Sequence, residues 1–127
     1  MEKIYAMLAV GCGSALGGMA RYLVGLAFKG VCCGFPWATL AVNLVGSLVI
    51  GVVCGLYNRM AAEPDNWFLF LAVGVCGGFT TFSTFSKEAL AMLSGGDILS
   101  FATYVTVSVA AGVALVAVGY LLTSVNG

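Results

Sequence analysis

Four long apolar stretches govern what this chain can become. They run from about 4 to 28, 39 to 57, 67 to 93 and 98 to 122. A helix needs about 20 mostly apolar residues to cross a hydrocarbon core about 30 Å thick, so each stretch predicts a transmembrane helix. Gly30, Pro36, Asn58, Pro64, Asp65, Gly95 and Gly96 mark the connections as short turns. Hydrophobic residues make up 61% of the chain and charged residues 8%, against about 25% charged in a soluble domain. So short a chain cannot hide that much apolar surface in a core of its own, and the bilayer is its solvent. Tyr5, Trp37, Tyr57 and Trp67 fall near the ends of the stretches, where an aromatic belt belongs. The reading is an all-α membrane protein, one four-helix transmembrane domain over residues 1–127. The first stretch is longer than the hydrophobic region of a signal peptide and lacks a clear cleavage site, so it is expected to stay as a span.

Charge and chemistry narrow the function. The formal net charge is zero, with no basic cluster to neutralise phosphates, which argues against nucleic acid. No G-x-x-x-x-G-K-[ST] loop appears, so no nucleotide-driven pump is expected. Histidine is absent, which removes the commonest general base and a common metal ligand. Cys12, Cys32, Cys33, Cys54 and Cys76 are odd in number and lack C-x-x-C spacing, which argues against a disulfide framework or a zinc site. No base, nucleophile pair or metal cluster emerges, so no enzyme is expected.

Orientation is left open. With Lys3 and Arg59 on one side, Lys29 and Lys87 fall toward the other, and Arg21 lies inside or at the edge of the first span. A Lys/Arg excess on one side normally fixes topology. Without one, the chain is able to insert both ways up and pair as an antiparallel dimer; alternatively, Arg21 and helix length select one orientation.

The third stretch carries the unusual chemistry. Residues 77–86 read G-G-F-T-T-F-S-T-F-S, with hydroxyls at Thr80, Thr81, Ser83, Thr84 and Ser86. Two glycines followed by β-branched threonines make a poor helix interior, which predicts a break near Gly77–Thr80. Irregular backbone at that depth must be buried in protein or line a watery cavity, and freed carbonyls at a broken helix can hold a small cation. The other reading is a packing face with back-bonded hydroxyls. Asn43 in the second span offers two N–H donors to an anion or to a neighbouring helix. Tyr104 and Ser108 stand one turn apart on the fourth. Arg21 is a functional candidate as a charge within a span, although a brace onto backbone carbonyls suits it better, since a free buried cation would trap an anion. Glycines at 11, 13, 17, 18, 46, 51, 55, 74, 77 and 78 indicate closely packed helices.

Three segments, G-G-F-T-T-F-S-T-F-S, V-N-L-V-G-S around Asn43 and G-G-M-A-R-Y around Arg21, resemble the Fluc (CrcB) fluoride channels, and the resemblance covers essentially the whole chain. It implies a fluoride-selective channel of the cell (inner) membrane that exports fluoride passively. It also implies an antiparallel, dual-topology homodimer with two pores and a central structural Na⁺. By position, Phe82 and Phe85 would face the ion with their ring edges and Asn43 would line the pathway. Ser83 and Thr84 would supply a hydroxyl track, with Glu88 at its outer end, and Tyr104 and Ser108 would continue it on the last helix. Gly77 and Thr80 would give backbone carbonyls to Na⁺, and Arg21 would lie near a vestibule. Where family members can carry further hydroxyls beyond Ser108, this chain has Gly112 and Val116, although Thr103 and Thr106 lie nearby on other faces.

Neutral N–H and O–H donors suit a small, strongly hydrated anion, because conduction needs binding weak enough to leave. Phenylalanine edges carry the positive part of the ring quadrupole. Two rivals differ in kind. A small multidrug-resistance-type exporter would need a carboxylate within the first span, and Glu2 precedes it. A scaffold subunit would explain the glycines but leave the hydroxyl and phenylalanine stripe without a purpose.

Overall fold

The computed structural model describes residues 1–31 and 34–125; Cys32 and Cys33 lie outside the described residues. Among the described residues, four helices are long and apolar enough to cross a membrane: α1 (Glu2–Ala27), α2 (Trp37–Arg59), α3 (Asn66–Ser94) and α4 (Ile98–Ser124). The chain is a multi-pass membrane protein. Their starts follow from local chemistry. Asp65 accepts the Phe68 N–H at the head of α3 and Asp97 accepts the Ser100 N–H at the head of α4, each satisfying an orphan donor of the first turn. The turn before α4 closes with Gly96 at φ +81°, a conformation that a side chain would resist.

The helices pack as two close pairs, α1 along the first half of α3 and α2 along α4. Glycine sets both approaches. A Cβ at Gly13 would strike the Phe70 carbonyl, and one at Gly17 the Val75 carbonyl. On the other pair, Gly51 faces the Val116 carbonyl and Gly119 faces the Leu48 carbonyl. Backbone meets backbone at these points, the form of association that lipid, offering no hydrophobic drive, leaves to membrane helices.

α3 is bent. Its first half is α-helical over Asn66–Phe68, widens to π-helical turns over Leu69–Cys76, and is α-helical again over Gly77–Phe79. Thr80 (φ −84°, ψ 160°) and Thr81 (φ −152°, ψ 116°) are extended, and the helix resumes over Phe82–Ser94. Two glycines and two threonines in a row are weak helix formers, so the helix yields there. Beyond the bend, Leu40, Ala89, Met92 and Tyr104 form a small buried cluster with Phe85 and Phe35 packed against it. Large apolar residues such as Leu16, Leu23, Val113 and Leu122 stay exposed, as side chains facing lipid or another chain do.

Gly17→Val is expected to lower the thermal midpoint in detergent well below that of Gly11→Val, since none of the described residues lies within 4 Å of a Cβ at Gly11. Overpacking costs about 1–3 kcal/mol, and equal midpoints would contradict the packing described. A second expectation concerns Asp65, whose carboxyl the Tyr57 hydroxyl and Phe68 N–H hold below its ordinary value of 3.8. A carboxyl lowered by folding contributes stability that is fully present above that ordinary value and lost as pH falls through the lowered one. Protection of the Phe68 amide in hydrogen exchange should therefore fall in strong acid. Asp65→Asn should abolish that dependence, and an unchanged acid profile would count against the cap.

Candidate pathway around the bend in α3

The bend frees backbone groups at membrane depth, and side chains from neighbouring helices take them up. Asn43 on α2 is the principal partner. Its Oδ1 accepts the Thr81 N–H at 2.7 Å and its Nδ2 donates to the Thr81 carbonyl at 3.2 Å. One amide thus clamps both ends of one residue. Arg21 donates from Nε to the Gly78 carbonyl at 3.2 Å, which is the brace anticipated from its position. The Thr80 hydroxyl donates back to the Cys76 carbonyl at 2.8 Å, and the Thr84 N–H donates to the Thr81 hydroxyl at 3.2 Å.

These diversions single out two carbonyls. In a continuous α-helix the Gly77 carbonyl receives the Thr81 N–H and the Thr80 carbonyl receives the Thr84 N–H. Here the first N–H goes to Asn43 and the second to the Thr81 hydroxyl. Both carbonyls therefore lose their helical donor.

Around the bend lies a cavity of about 340 Å³ that brings together Asn43, Gly77, Thr80, Phe82, Phe85 and Ser108, with Ser47 and Thr81 beside them. Gly46 is what brings α2 to it, since a Cβ there would strike the Thr80 methyl. The Phe82 and Phe85 ring centroids are 5.8 Å apart with planes at 42°. Phe82 is 80% exposed while Phe85 is half-buried against Tyr104 at 5.1 Å. Among the described residues, no side chain lining this cavity carries a formal charge.

Other candidates fall elsewhere. Thr84 and Arg21 line a second cavity with Thr39 and Thr81, so Thr81 and the clamp stand between the two spaces. Glu88 lines a third, with Asp97 and Phe35. Ser83 is exposed and lines none of the three, its hydroxyl 3.5 Å from that of Thr81. Tyr104 is fully buried between Phe35 and Phe85, and among the described residues its hydroxyl has no hydrogen-bond partner. Its polar neighbours are Glu88 and Thr39, and the Thr39 hydroxyl donates to Glu88 Oε1 at 2.5 Å.

Three polar residues were missed in the sequence as site components: Thr39, Ser47 and Thr81 as the clamped residue. Spacing offered a signal for two of them. Thr39, Asn43 and Ser47 recur every four residues and so share one face of α2.

The sequence matches the family model described as CrcB-like protein, Camphor Resistance (CrcB), over residues 8–120. The chain belongs to the CrcB-like family. Among its relatives, the "Fluoride-specific ion channel FluC" of Nitrobacter winogradskyi is 43% identical over 89% of this chain and 90% of that protein. The protein of the same name from Thermus thermophilus is 45% identical over 91% and 92%, and that from Prosthecochloris aestuarii 37% identical over 98% and 97%. The matched residues of the CrcB-like model include the whole of the bend and every candidate position named above.

Asn43→Ala leaves the Thr81 N–H without its partner, a cost of about 1–3 kcal/mol. The Thr81 amide should then exchange markedly faster than in the unaltered protein. Unchanged protection there would show that the clamp does not hold the bend.

Proposed function

We propose that this chain is one subunit of a fluoride channel that lets the anion leave the cell passively, down its electrochemical gradient. The observation that carries the reading is the uncharged cavity at the bend, where an amide, hydroxyls and two phenyl rings converge. The names of its relatives point the same way. Fluoride gives up hydration only where other donors replace it, and the Asn43 N–H not used by Thr81 and the Ser108 hydroxyl are such donors. Being neutral, they bind without forming a deep trap. Phe82 and Phe85 offer an anion the positive rim of their ring quadrupoles. Thr84 and Ser83 extend the hydroxyls past the bend, Tyr104 fixes the Phe85 ring, and Arg21 lends positive potential beside the second cavity. Glu88, tied to Thr39, stands at the outer end.

The reading further takes two copies, inserted in opposite directions, as the working unit with two pores. The balanced charges on the two sides of the chain and the exposed apolar faces favour such a pair. The bend in α3 then serves as a helix break at the junction of the copies. Gly77 and Thr80, whose carbonyls lose their helical donors, are the residues that would hold a structural Na⁺ there. Hard carbonyl oxygens suit an alkali cation, and when bound it supplies fixed positive potential beside the route and ties the two bends together. The chain's own part is to hold those two carbonyls free, through Asn43 and the Thr81 hydroxyl.

Purified protein in proteoliposomes loaded with fluoride, given a K⁺ ionophore, should release fluoride rapidly and chloride little. Phe82→Ile and Phe85→Ile should each cut the fluoride rate at least about tenfold, the loss of an aromatic contact worth about 1.4 kcal/mol, while the protein still inserts and elutes as before. A scaffold would tolerate both substitutions, and full fluoride flux in them would overturn the assignment.

A further inference from the structure

We propose that Ser47 is a further anion-contacting residue of this route, placed opposite Gly112 to supply the donor that α4 lacks at that depth; the assignment rests on the channel reading above. Ser47 follows Asn43 by one turn on α2, and both line the cavity at the bend together with Ser108 of α4. One turn beyond Ser108, α4 presents Gly112 and no donor. The space is not lost. A Cβ at Gly112 would stand 3.6 Å from Ser47 Oγ, which is ordinary contact, so the bare helix surface of α4 lies directly against the hydroxyl of α2. The facing helix fills the vacant register with a donor of the same kind.

The hydroxyl is also free to act. Ser47 Oγ donates to the Asn43 carbonyl at 2.7 Å, but within α2 that carbonyl is the normal acceptor of the Ser47 backbone N–H. The side chain therefore adds a second bond to an oxygen that is already served. A hydroxyl proton rotates readily, and turning it from the carbonyl to an anion in the cavity leaves no backbone group unsatisfied. Asn43 is not disturbed by the move, because its amide is anchored on Thr81. Asn43, Ser47 and Ser108 thus form three sides of one neutral donor set, two from α2 and one from α4.

Fluoride efflux from proteoliposomes tests this with the unaltered chain, Ser47→Ala, and Ser47→Ala combined with Gly112→Ser, each checked for monodispersity and thermal midpoint. Ser47→Ala should slow efflux about threefold to tenfold, the range of one neutral hydrogen bond. Gly112→Ser in that background should recover most of the rate by returning a hydroxyl from α4. Gly112→Val, which crowds the Ser47 hydroxyl without removing it, should slow efflux as well and serves if Ser47→Ala does not insert. An unaltered rate in Ser47→Ala overturns the assignment. So does a slowed rate that Gly112→Ser leaves unrescued, which would make Ser47 a brace of α2. Absence of fluoride efflux from the unaltered protein is a separate result that removes the channel reading and this assignment with it.

Discussion

Everything in this molecule turns on how backbone polar groups are satisfied where there is no water to satisfy them. A helix crossing the bilayer closes its own hydrogen bonds, and each group left over costs several kcal/mol. At Thr80 and Thr81 the third helix gives up that closure. Other side chains then take over group by group. Asn43 takes the N–H and carbonyl of Thr81, Arg21 the carbonyl of Gly78, and the Thr81 hydroxyl the N–H of Thr84. Two of these partners would be costly anywhere else in a span. Arg21 is a full charge and Asn43 a carboxamide, and each is tolerable because it is committed to backbone. The bend explains both polar residues and they, in turn, permit the bend.

Those partners reach their targets only because the helices come unusually near. Arg21 lies one turn past Gly17, and a Cβ on Gly17 would strike the Val75 carbonyl. Any larger residue at 17 would lift α1 and carry the guanidinium away from Gly78. Asn43 has the same dependence on Gly46, which seats the Thr80 methyl on α2. The glycines are therefore more than general packing. Those at 17 and 46 set the distances across which the two braces form.

Much of this was legible in the sequence, and the limits have a definite cause. The four spans follow from hydropathy and length, and a weak helix near Gly77–Thr80 from the glycine pair and the β-branched threonines, while the extended residues proved to be Thr80 and Thr81 with Gly77–Phe79 helical. Asn43 and Arg21 announced themselves as polar groups in apolar runs. What could not be read was which hydroxyl faces which space. Spacing arguments assume 3.6 residues per turn, but eight residues of α3 run as π-helix and two more are extended. Register across the bend is therefore lost. Thr84 falls on the second cavity, Ser83 on the exposed surface, and Thr80 on the first cavity. On the unbroken α2 the four-residue spacing of Thr39, Asn43 and Ser47 does hold.

The distribution of charge bears on the proposed anion route. A carboxylate in the cavity at the bend would repel fluoride by several kcal/mol in a medium of low dielectric, and a free guanidinium there would hold it. Both kinds of group are near, and both are restrained. Arg21 has its Nε on a carbonyl, and Glu88 accepts the Thr39 hydroxyl beside a cavity distinct from the one at the bend. The cavity at the bend is left to an amide, hydroxyls and phenyl rings. On the channel reading, selectivity then depends less on any one strong contact than on a rigid ring of weak ones. The rigidity has a source in the same bonds that satisfy the bend, since the Asn43 amide that faces the cavity is also the clamp on Thr81. A donor whose other end is fixed cannot swing to follow a larger anion, and on that reading the site would favour the ion small enough to be met where its donors already stand.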